Sequence, residues 1–218
     1  MNRLKLFSAS LILLAFYLIA LSYLAVAVPA DAAVPIHWNA QGVIDNYTSK
    51  SNALIFAFAM NIGLFLLMYL MPYFSPKYKQ QAGRFDQVLP GITFMLLLFL
   101  SLLNIYGLSY PLGADRLPLN PVLVLIGLML LLLGNMLPKV PRNFFVGIRT
   151  PWTISDEDNW YKTHRLGGLL FVIGGILLAM KGILSLSPTL QTLSTWIVMS
   201  MLLLPLPYSF LLYLKRKK

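Results

Sequence analysis

Six long apolar runs constrain this chain more than any other feature of its sequence. They cover residues 6–28, 54–71, 88–108, 121–137, 166–186 and 192–214. Each run can cross about 30 Å of hydrocarbon, because a membrane-spanning helix needs roughly 17 to 25 residues. The composition agrees: 58% of residues are hydrophobic, 11% are charged and the mean hydropathy is +0.74, values outside the range of soluble domains. The sequence therefore predicts an integral membrane protein.

The Leu-rich character of these runs predicts their secondary structure. Hydrocarbon offers no hydrogen bonds to the backbone, so only helices and closed barrels can cross it. Barrel strands alternate apolar and polar side chains, and these runs do not alternate. We therefore predict an all-α, polytopic membrane protein with about six transmembrane helices.

The runs divide the chain into four segments. Residues 1–52 hold the first transmembrane anchor and an outer loop, and residues 53–137 hold helices two to four. Residues 138–165 form a polar cytoplasmic loop, and residues 166–218 hold helices five and six with a basic tail. We interpret the first run as an uncleaved anchor, because its length of about 23 residues exceeds the apolar core of a signal peptide.

The distribution of positive charge predicts the orientation. The chain has 17 Lys and Arg residues and a net charge of +10. If the N-terminus is cytoplasmic, fourteen of the 17 fall in cytoplasmic segments; only Lys50 and Arg116 lie in outer loops, and Lys181 lies in the fifth run. Basic residues accumulate on the cytoplasmic side of membrane proteins. We therefore predict that both termini are cytoplasmic, and that the charge serves orientation and not nucleic-acid binding.

The first outer loop carries a group of polar and turn-forming residues. They are Pro35, His37, Trp38, Asn39, Gly42 and Asp45. Pro35 favours an extended backbone for the residue before it, and Asn39 and Gly42 favour a turn, so we predict a short extended piece that enters a turn. Two interpretations of His37 and Asp45 remain. The two side chains could together contact a metal or a cationic ligand, or His37 and Trp38 could lie among the headgroups while Asp45 caps a turn. We favour the second.

Three polar residues fall inside the apolar runs. Asn61 and Asn104 are expected to hydrogen-bond between helices, with a transport path as the alternative. Lys181 lies about five residues from the outer end of its run, so we expect its side chain to extend to the outer surface. A buried, functional ammonium is the alternative. Lack of cysteine excludes disulfides and thiolate chemistry.

The polar segment at residues 135–168 is the least ordinary part of the chain. Pro138 and Pro141 should end the fourth helix. Further along, Arg149 lies between Gly147 and Pro151 and beside Trp152. This arrangement would suit an anionic group or stacking of the guanidinium on the indole.

A helix start follows this segment. Ser155 is predicted as its N-cap, with Asp156, Glu157 and Asp158 in the first turn, where the helix dipole favours negative charge. Glu157 and His164 share a face but lie two turns apart, without a metal-binding or paired-carboxylate signature. We therefore predict no catalytic, metal or cofactor residues.

The polar segment resembles the sporulation-delaying-protein immunity family, the SdpI-like membrane proteins of bacteria. The residues that carry the resemblance are Gly134, Asn135, Pro138, Lys139, Asn143, Phe145, Gly147, Ile148, Arg149, Thr150, Pro151, Trp152, Thr153, Glu157, Trp160, Thr163, His164, Arg165, Gly167 and Gly168. The outer-loop group is similar to a small domain of unknown function that precedes the motif in many relatives. One departure is the order Pro141–Arg142, where relatives tend to have a basic residue before Pro.

The resemblance implies a six-span protein of the inner membrane that protects its cell from a secreted toxic peptide. It also implies binding of a cytoplasmic transcriptional repressor when the toxin is present. Two alternatives from other classes stay open. One is a small transporter or permease that uses Asn61, Asn104 and Lys181, and the other is an intramembrane enzyme that uses Glu157 and His164.

Overall fold

A computed structural model describes residues 3–75, 78–114, 117, 119–184 and 186–216. Arg116, Lys77 and the last two lysines, which enter the predicted charge distribution, lie outside the described residues. The elements in chain order are α1 (Arg3–Leu6), α2 (Ser8–Ala27), β1 (Ala33–Trp38), β2 (Ile44–Ser49), α3 (Lys50–Phe74), α4 (Tyr78–Ser109), α5 (Pro121–Met136), α6 (Pro151–Ser155), α7 (Glu157–Ile183), α8 (Pro188–Leu203) and α9 (Pro205–Arg216).

The predicted all-α membrane architecture is confirmed. Within the described residues, six segments are long and apolar enough to cross a membrane: Ser8–Ala27, Lys50–Phe74, Gln81–Leu112, Pro121–Lys139, Glu157–Ile183 and Pro188–Arg216. Each overlaps one predicted run. The last segment breaks between α8 and α9 at Pro205, because proline has no N–H for the helical hydrogen bond.

One part of the fold is not helical. Strands β1 and β2 form an antiparallel hairpin between α2 and α3, with Ala33 opposite Ser49 and Trp38 opposite Ile44. The sequence predicts the first extended piece and the turn, but not the second strand, whose residues show no apolar alternation.

The two ends of the helix bundle have different structures. The hairpin end consists of β1, β2, the start of α5 and the end of α7. The loop end consists of residues 137–156, the start of α7 and α9. The predicted orientation would place the hairpin end outside the cell and the loop end in the cytoplasm.

Helices α5 and α7 pack with their backbones in close contact. A Cβ atom added to Gly127 would lie 2.6 Å from the carbonyl oxygen of Gly175, and one added to Gly134 would lie 2.6 Å from that of Gly168. Any side chain there would force the helices apart. Glycines of α7 thus pack on glycines of α5, and this contact holds the hairpin end and the loop end at opposite ends of one helix pair.

Polar contacts join the first helices inside the bundle. The Tyr17 hydroxyl donates to the carbonyl oxygen of Ala57 at 2.9 Å. The Ser101 hydroxyl donates to the side-chain oxygen of Asn61 at 3.0 Å, and Asn61 is fully buried. The predicted interhelical role of Asn61 is confirmed.

Candidate functional site

Asn39 organises the hairpin turn. Its side-chain oxygen accepts from the backbone N–H groups of Gln41 at 2.9 Å and Val43 at 3.0 Å. The N–H of Gly42 donates to the Asn39 carbonyl at 2.8 Å, and Gly42 has a φ of 76°. Such a φ favours glycine because other residues would bring Cβ against the backbone. The predicted turn is confirmed, and its Asn and Gly have defined structural roles.

His37 and Asp45 pair with each other across the two strands. The His37 Nδ1 atom hydrogen-bonds the Asp45 carboxylate, and both side chains are exposed. Asp45 therefore contacts His37 instead of capping the turn, which corrects the favoured interpretation. Among the described residues, no group of three potential metal ligands includes them. Pro35 lies on β1, two residues before His37.

Two side chains from the bundle hold the hairpin turn. Asn120 Nδ2 donates to the carbonyl oxygen of Gly42 at 2.8 Å, and Lys181 Nζ donates to that of Ala40 at 2.9 Å. Lys181 also donates to Thr195 Oγ1, and only 6% of its surface is exposed. The prediction that Lys181 extends to the outer surface is wrong, because the hairpin turn folds over the end of α7 and covers the ammonium.

A cleft opens beside this contact, and we call it the hairpin cleft. Its volume is about 450 Å³. Its lining includes Trp38, Gln41, Tyr106, Tyr110, Lys181 and Gln191. The Trp38 and Tyr106 rings lie 6.1 Å apart. Two of the three N–H donors of the Lys181 ammonium are used by the contacts above, so the cleft combines aromatic walls with a cation that has one further donor.

At the loop end, Asn143 closes a tight turn. Its side-chain oxygen accepts from the N–H groups of Phe145 and Val146, both at 2.7 Å. Its Nδ2 donates to the carbonyl oxygens of Pro141 at 2.8 Å and Val146 at 2.9 Å. Both the oxygen and the nitrogen of the Asn143 side-chain amide are therefore hydrogen-bonded to the backbone of the loop, so Asn143 is a structural residue of this motif.

Thr150 and Thr153 start α6 with a reciprocal capping box. The Thr153 N–H donates to Thr150 Oγ1 at 3.2 Å, and the Thr150 N–H donates to Thr153 Oγ1 at 2.9 Å. Pro151 occupies the first helical position, where its missing N–H is not needed.

Trp160 and His164 form the buried centre of the loop end. Trp160 Nε1 donates to the carbonyl oxygen of Val140 at 2.9 Å, and the two rings stack with centroids 3.9 Å apart. The Ile148 N–H donates to His164 Nε2 at 3.0 Å, so the ring proton lies on Nδ1, which donates to the Trp160 carbonyl at 2.7 Å. Both ring nitrogens are therefore occupied, and neither is available for proton transfer or a metal.

Gly147 fits closely against this pair. Its φ is 122°, and a Cβ added to it would lie 2.4 Å from His164 Nε2. Both the backbone conformation and the space require glycine here.

A serine on α9 joins α9 to the loop. Trp152 Nε1 and the Thr150 hydroxyl hydrogen-bond Ser209 Oγ, and Asn159 Nδ2 donates to the Ser209 carbonyl at 2.9 Å. Thr163 Oγ1 then donates to the side-chain oxygen of Asn159 at 3.0 Å. The roles of Ser209 and Asn159 were not predicted from the sequence. In the sequence, Ser209 is recognisable only as a single serine between apolar residues of the last span.

Arg149 and Trp152 have different partners, so the guanidinium does not stack on the indole, and anion binding by Arg149 stays a prediction. Arg149 is exposed, and its Nη1 donates to the carbonyl oxygen of Phe144. The Trp152 ring packs on Phe210 and Tyr213, with centroids 5.0 and 5.9 Å away. Since these rings and Ser209 surround the indole, it anchors α9.

The start of α7 also differs from its prediction. Asp156 is the N-cap, and its carboxylate accepts from the N–H groups of Asp158 at 2.9 Å and Asn159 at 3.3 Å. Ser155 is instead the last residue of α6. The short helix was not visible in the sequence, and it moves the cap by one residue.

The other residues of the predicted motif have simpler environments. Pro138 packs against Gly168, while Asn135, Lys139 and Arg165 are exposed. Glu157 is exposed, and its Oε1 atom lies 3.9 Å from Nη1 of Arg84. The structure therefore separates Glu157, at the surface, from the fully buried His164.

Comparisons with known proteins agree with the predicted resemblance. Residues 11–62 match a domain of unknown function, DUF1648. The immunity protein SdpI of Bacillus subtilis (strain 168) is 24% identical over 149 residues, which cover 67% of this chain and 68% of that protein. No solved structure gave a significant match. Residues 139–211 match the SdpI/YfhL protein family, so the loop end and the last two spans of this multi-pass membrane protein are similar to that family.

Proposed function

We propose that this chain is a non-enzymatic immunity protein of the bacterial cytoplasmic membrane, which binds a secreted toxic peptide at its hairpin end and relays that binding to a cytoplasmic regulator. The similarity to an immunity protein over two thirds of both chains supports the general role. The observation that carries the peptide-binding step is the hairpin cleft, because the buried polar groups of the motif at the loop end are used within the protein.

The hairpin cleft has the chemistry to bind part of an amphipathic peptide. Its volume of about 450 Å³ lies within the range of ligand sites, roughly 300 to 1,000 Å³. Trp38, Tyr106 and Tyr110 offer apolar faces, which bury large areas on binding. Gln41 and Gln191 offer amide groups for a peptide backbone, and Lys181 offers a cation for a peptide carboxylate.

Helix α7 offers a route for the relay. It is continuous from Trp160 and His164 at the loop end to Lys181 under the hairpin. The 17 residues from His164 to Lys181 correspond to about 26 Å at 1.5 Å per residue. A peptide that replaces the carbonyl oxygen of Ala40 as the partner of Lys181 would release the hairpin and shift α7. The exposed Arg149 and Lys139 would then present an altered surface to a repressor.

Protection of sensitive cells tests the proposal. The chain would be expressed in a bacterium killed by a secreted peptide encoded beside the gene for this chain, and survival would be compared with cells carrying an empty vector. We expect protection by the parent protein and its loss with Trp38→Ala or Lys181→Met. Lys162→Met, on the exposed surface of the same helix, is the matched control. Unchanged killing by the peptide, with the parent protein quantified in the membrane fraction, would contradict the proposal.

The relay is tested separately. A repressor encoded nearby should co-purify with membranes that contain the parent protein only after peptide addition. Arg149→Ala should reduce this capture while protection persists, because Arg149 is exposed at the opposite end from the cleft. Equal capture with and without peptide would contradict the relay.

A further inference from the structure

A second cavity lies at the loop end, where α4, the segment 138–142 and α7 meet. Its volume is about 630 Å³. Its charged lining residues are Arg84, Lys139, Arg142 and Glu157. We call it the basic pocket, because three cationic side chains and one carboxylate line it.

Arg142 brings an incompletely used guanidinium to this pocket. Its Nη1 donates to the carbonyl oxygen of Ile154 at 3.3 Å. Its Nε is buried and has no hydrogen-bond partner among the described residues. A buried donor without a partner is costly, and the planar arginine fork matches the oxygens of a phosphate. The guanidinium is therefore suited to an anion that the protein itself does not supply.

The basic pocket keeps a net positive charge when Glu157 is paired with Arg84. Glu157 lies 3.9 Å from Arg84, and both side chains are largely exposed. Such a pair is weak in water. An entering anion would meet the Glu157 carboxylate as well as Arg84, but Lys139 and Arg142 have no carboxylate within salt-bridge distance among the described residues.

The remaining walls match the boundary between headgroups and acyl chains. Val88, Pro138, Val140 and Pro141 are apolar, and Trp160 and Tyr161 add aromatic rings. Beyond Arg142 in the same loop, Phe144 and Phe145 expose 42% and 37% of their surfaces. Exposed aromatic residues at the end of spans are typical of the membrane interface. A free phosphate would use only the cations, whereas a phospholipid would also use these apolar walls.

We propose that the basic pocket binds the phosphate of an anionic phospholipid headgroup, with Arg142 and Lys139 as its ligands and the apolar walls against the glycerol and upper acyl chains. Basic pockets between transmembrane helices are known to hold anionic headgroups. With the predicted orientation, the lipid belongs to the cytoplasmic leaflet.

Native mass spectrometry of the purified full-length protein tests this proposal. Short-chain phosphatidylglycerol and phosphatidylcholine would be titrated separately. We expect phosphatidylglycerol to bind at least about fivefold more tightly, since each basic residue near an anionic headgroup contributes about that factor. Lys139→Gln and Arg142→Gln should each weaken phosphatidylglycerol binding about fivefold and should weaken phosphatidylcholine binding less, because the choline cation of that lipid offsets its phosphate charge.

Arg165→Gln is the matched control, because Arg165 is exposed at the same end but does not line the pocket. Lys139→Gln keeps the test decisive if Arg142→Gln fails to fold, since Lys139 is exposed. Equal binding of the two lipids, or an equal loss with Arg165→Gln, would overturn the proposal. Displacement of phosphatidylglycerol by an equal concentration of inorganic phosphate would also overturn it, in favour of a free-anion site.

Discussion

The hairpin end and the loop end of this protein use polar residues in opposite ways. At the loop end, Asn143, Thr153 and His164 hydrogen-bond the protein's own backbone or side chains and are buried. At the hairpin end, Asn39 and Asn120 build and hold a turn, but Lys181 and the rings of Trp38 and Tyr106 line an open cleft.

This difference separates polar residues that stabilise the fold from polar residues that can bind a ligand. A buried polar residue whose donors and acceptors are all satisfied inside the protein stabilises one conformation. Groups that line an open cleft remain available to another molecule. The buried motif residues at the loop end therefore stabilise the fold, whereas the exposed rim of that end and the hairpin cleft keep polar groups at the surface.

The largest effect should come from filling the space at Gly147. Gly147→Ala would require a φ of 122° for a residue with a Cβ and would place that atom 2.4 Å from His164 Nε2. We expect a loss of about 3 kcal/mol in stability, measured by unfolding in detergent. Gly63→Ala is the control, since a Cβ at that helical glycine has no neighbour within 4 Å. A loss no larger than that of the control would contradict a tightly packed loop end.

The two histidines of the chain provide the next test of the comparison. His164→Ala should cost about 2 to 3 kcal/mol, because it leaves the Ile148 N–H without its acceptor in a buried site and removes the stacking on Trp160. His37→Ala should cost far less, since His37 pairs with Asp45 on an exposed hairpin. Unfolding of the two variants under the same conditions measures the difference. Equal losses of stability in the two variants would contradict the difference between the hairpin end and the loop end.

The sequence was sufficient for the architecture because hydrophobicity is a local property. Each predicted run overlaps one span, and the turn at Asn39 and Gly42 follows from local chemistry. The motif at the loop end was also identified from its residues alone.

Contacts between distant residues account for what the sequence did not predict. Lys181 contacts Ala40, 141 positions away, so no local pattern reveals that its ammonium is covered. Ser209 contacts Trp152 and Asn159, which are 57 and 50 positions away. The error at Ser155 has a different origin, since α6 is only five residues long and too short for a periodic pattern.

The link between the hairpin and the bundle should have an intermediate effect. Lys181→Met removes the hydrogen bonds to Ala40 and Thr195 but keeps the aliphatic stem. We expect residues 39–43 to exchange their amide hydrogens about tenfold faster, since one hydrogen bond to a charged group contributes about 1.5 kcal/mol or more. Lys162→Met on the exposed face of α7 should leave this exchange unchanged. Unchanged exchange in Lys181→Met would show that the turn is held by Asn120 and packing alone.

The smallest of these effects should come from Ser209→Ala. It removes a hydroxyl that bonds Trp152 Nε1 and Thr150 Oγ1, but the Ser209 backbone carbonyl still accepts from Asn159. A loss of about 1 kcal/mol is therefore expected, together with a shift in tryptophan fluorescence because the indole N–H loses its partner. Ser22→Ala is the control, since Ser22 is exposed and bonds only the Leu18 carbonyl of its own helix. If both serines gave the same small loss and no fluorescence change, α9 would be held by the stacking of Trp152 on Phe210 and Tyr213, and the polar network would matter only around His164.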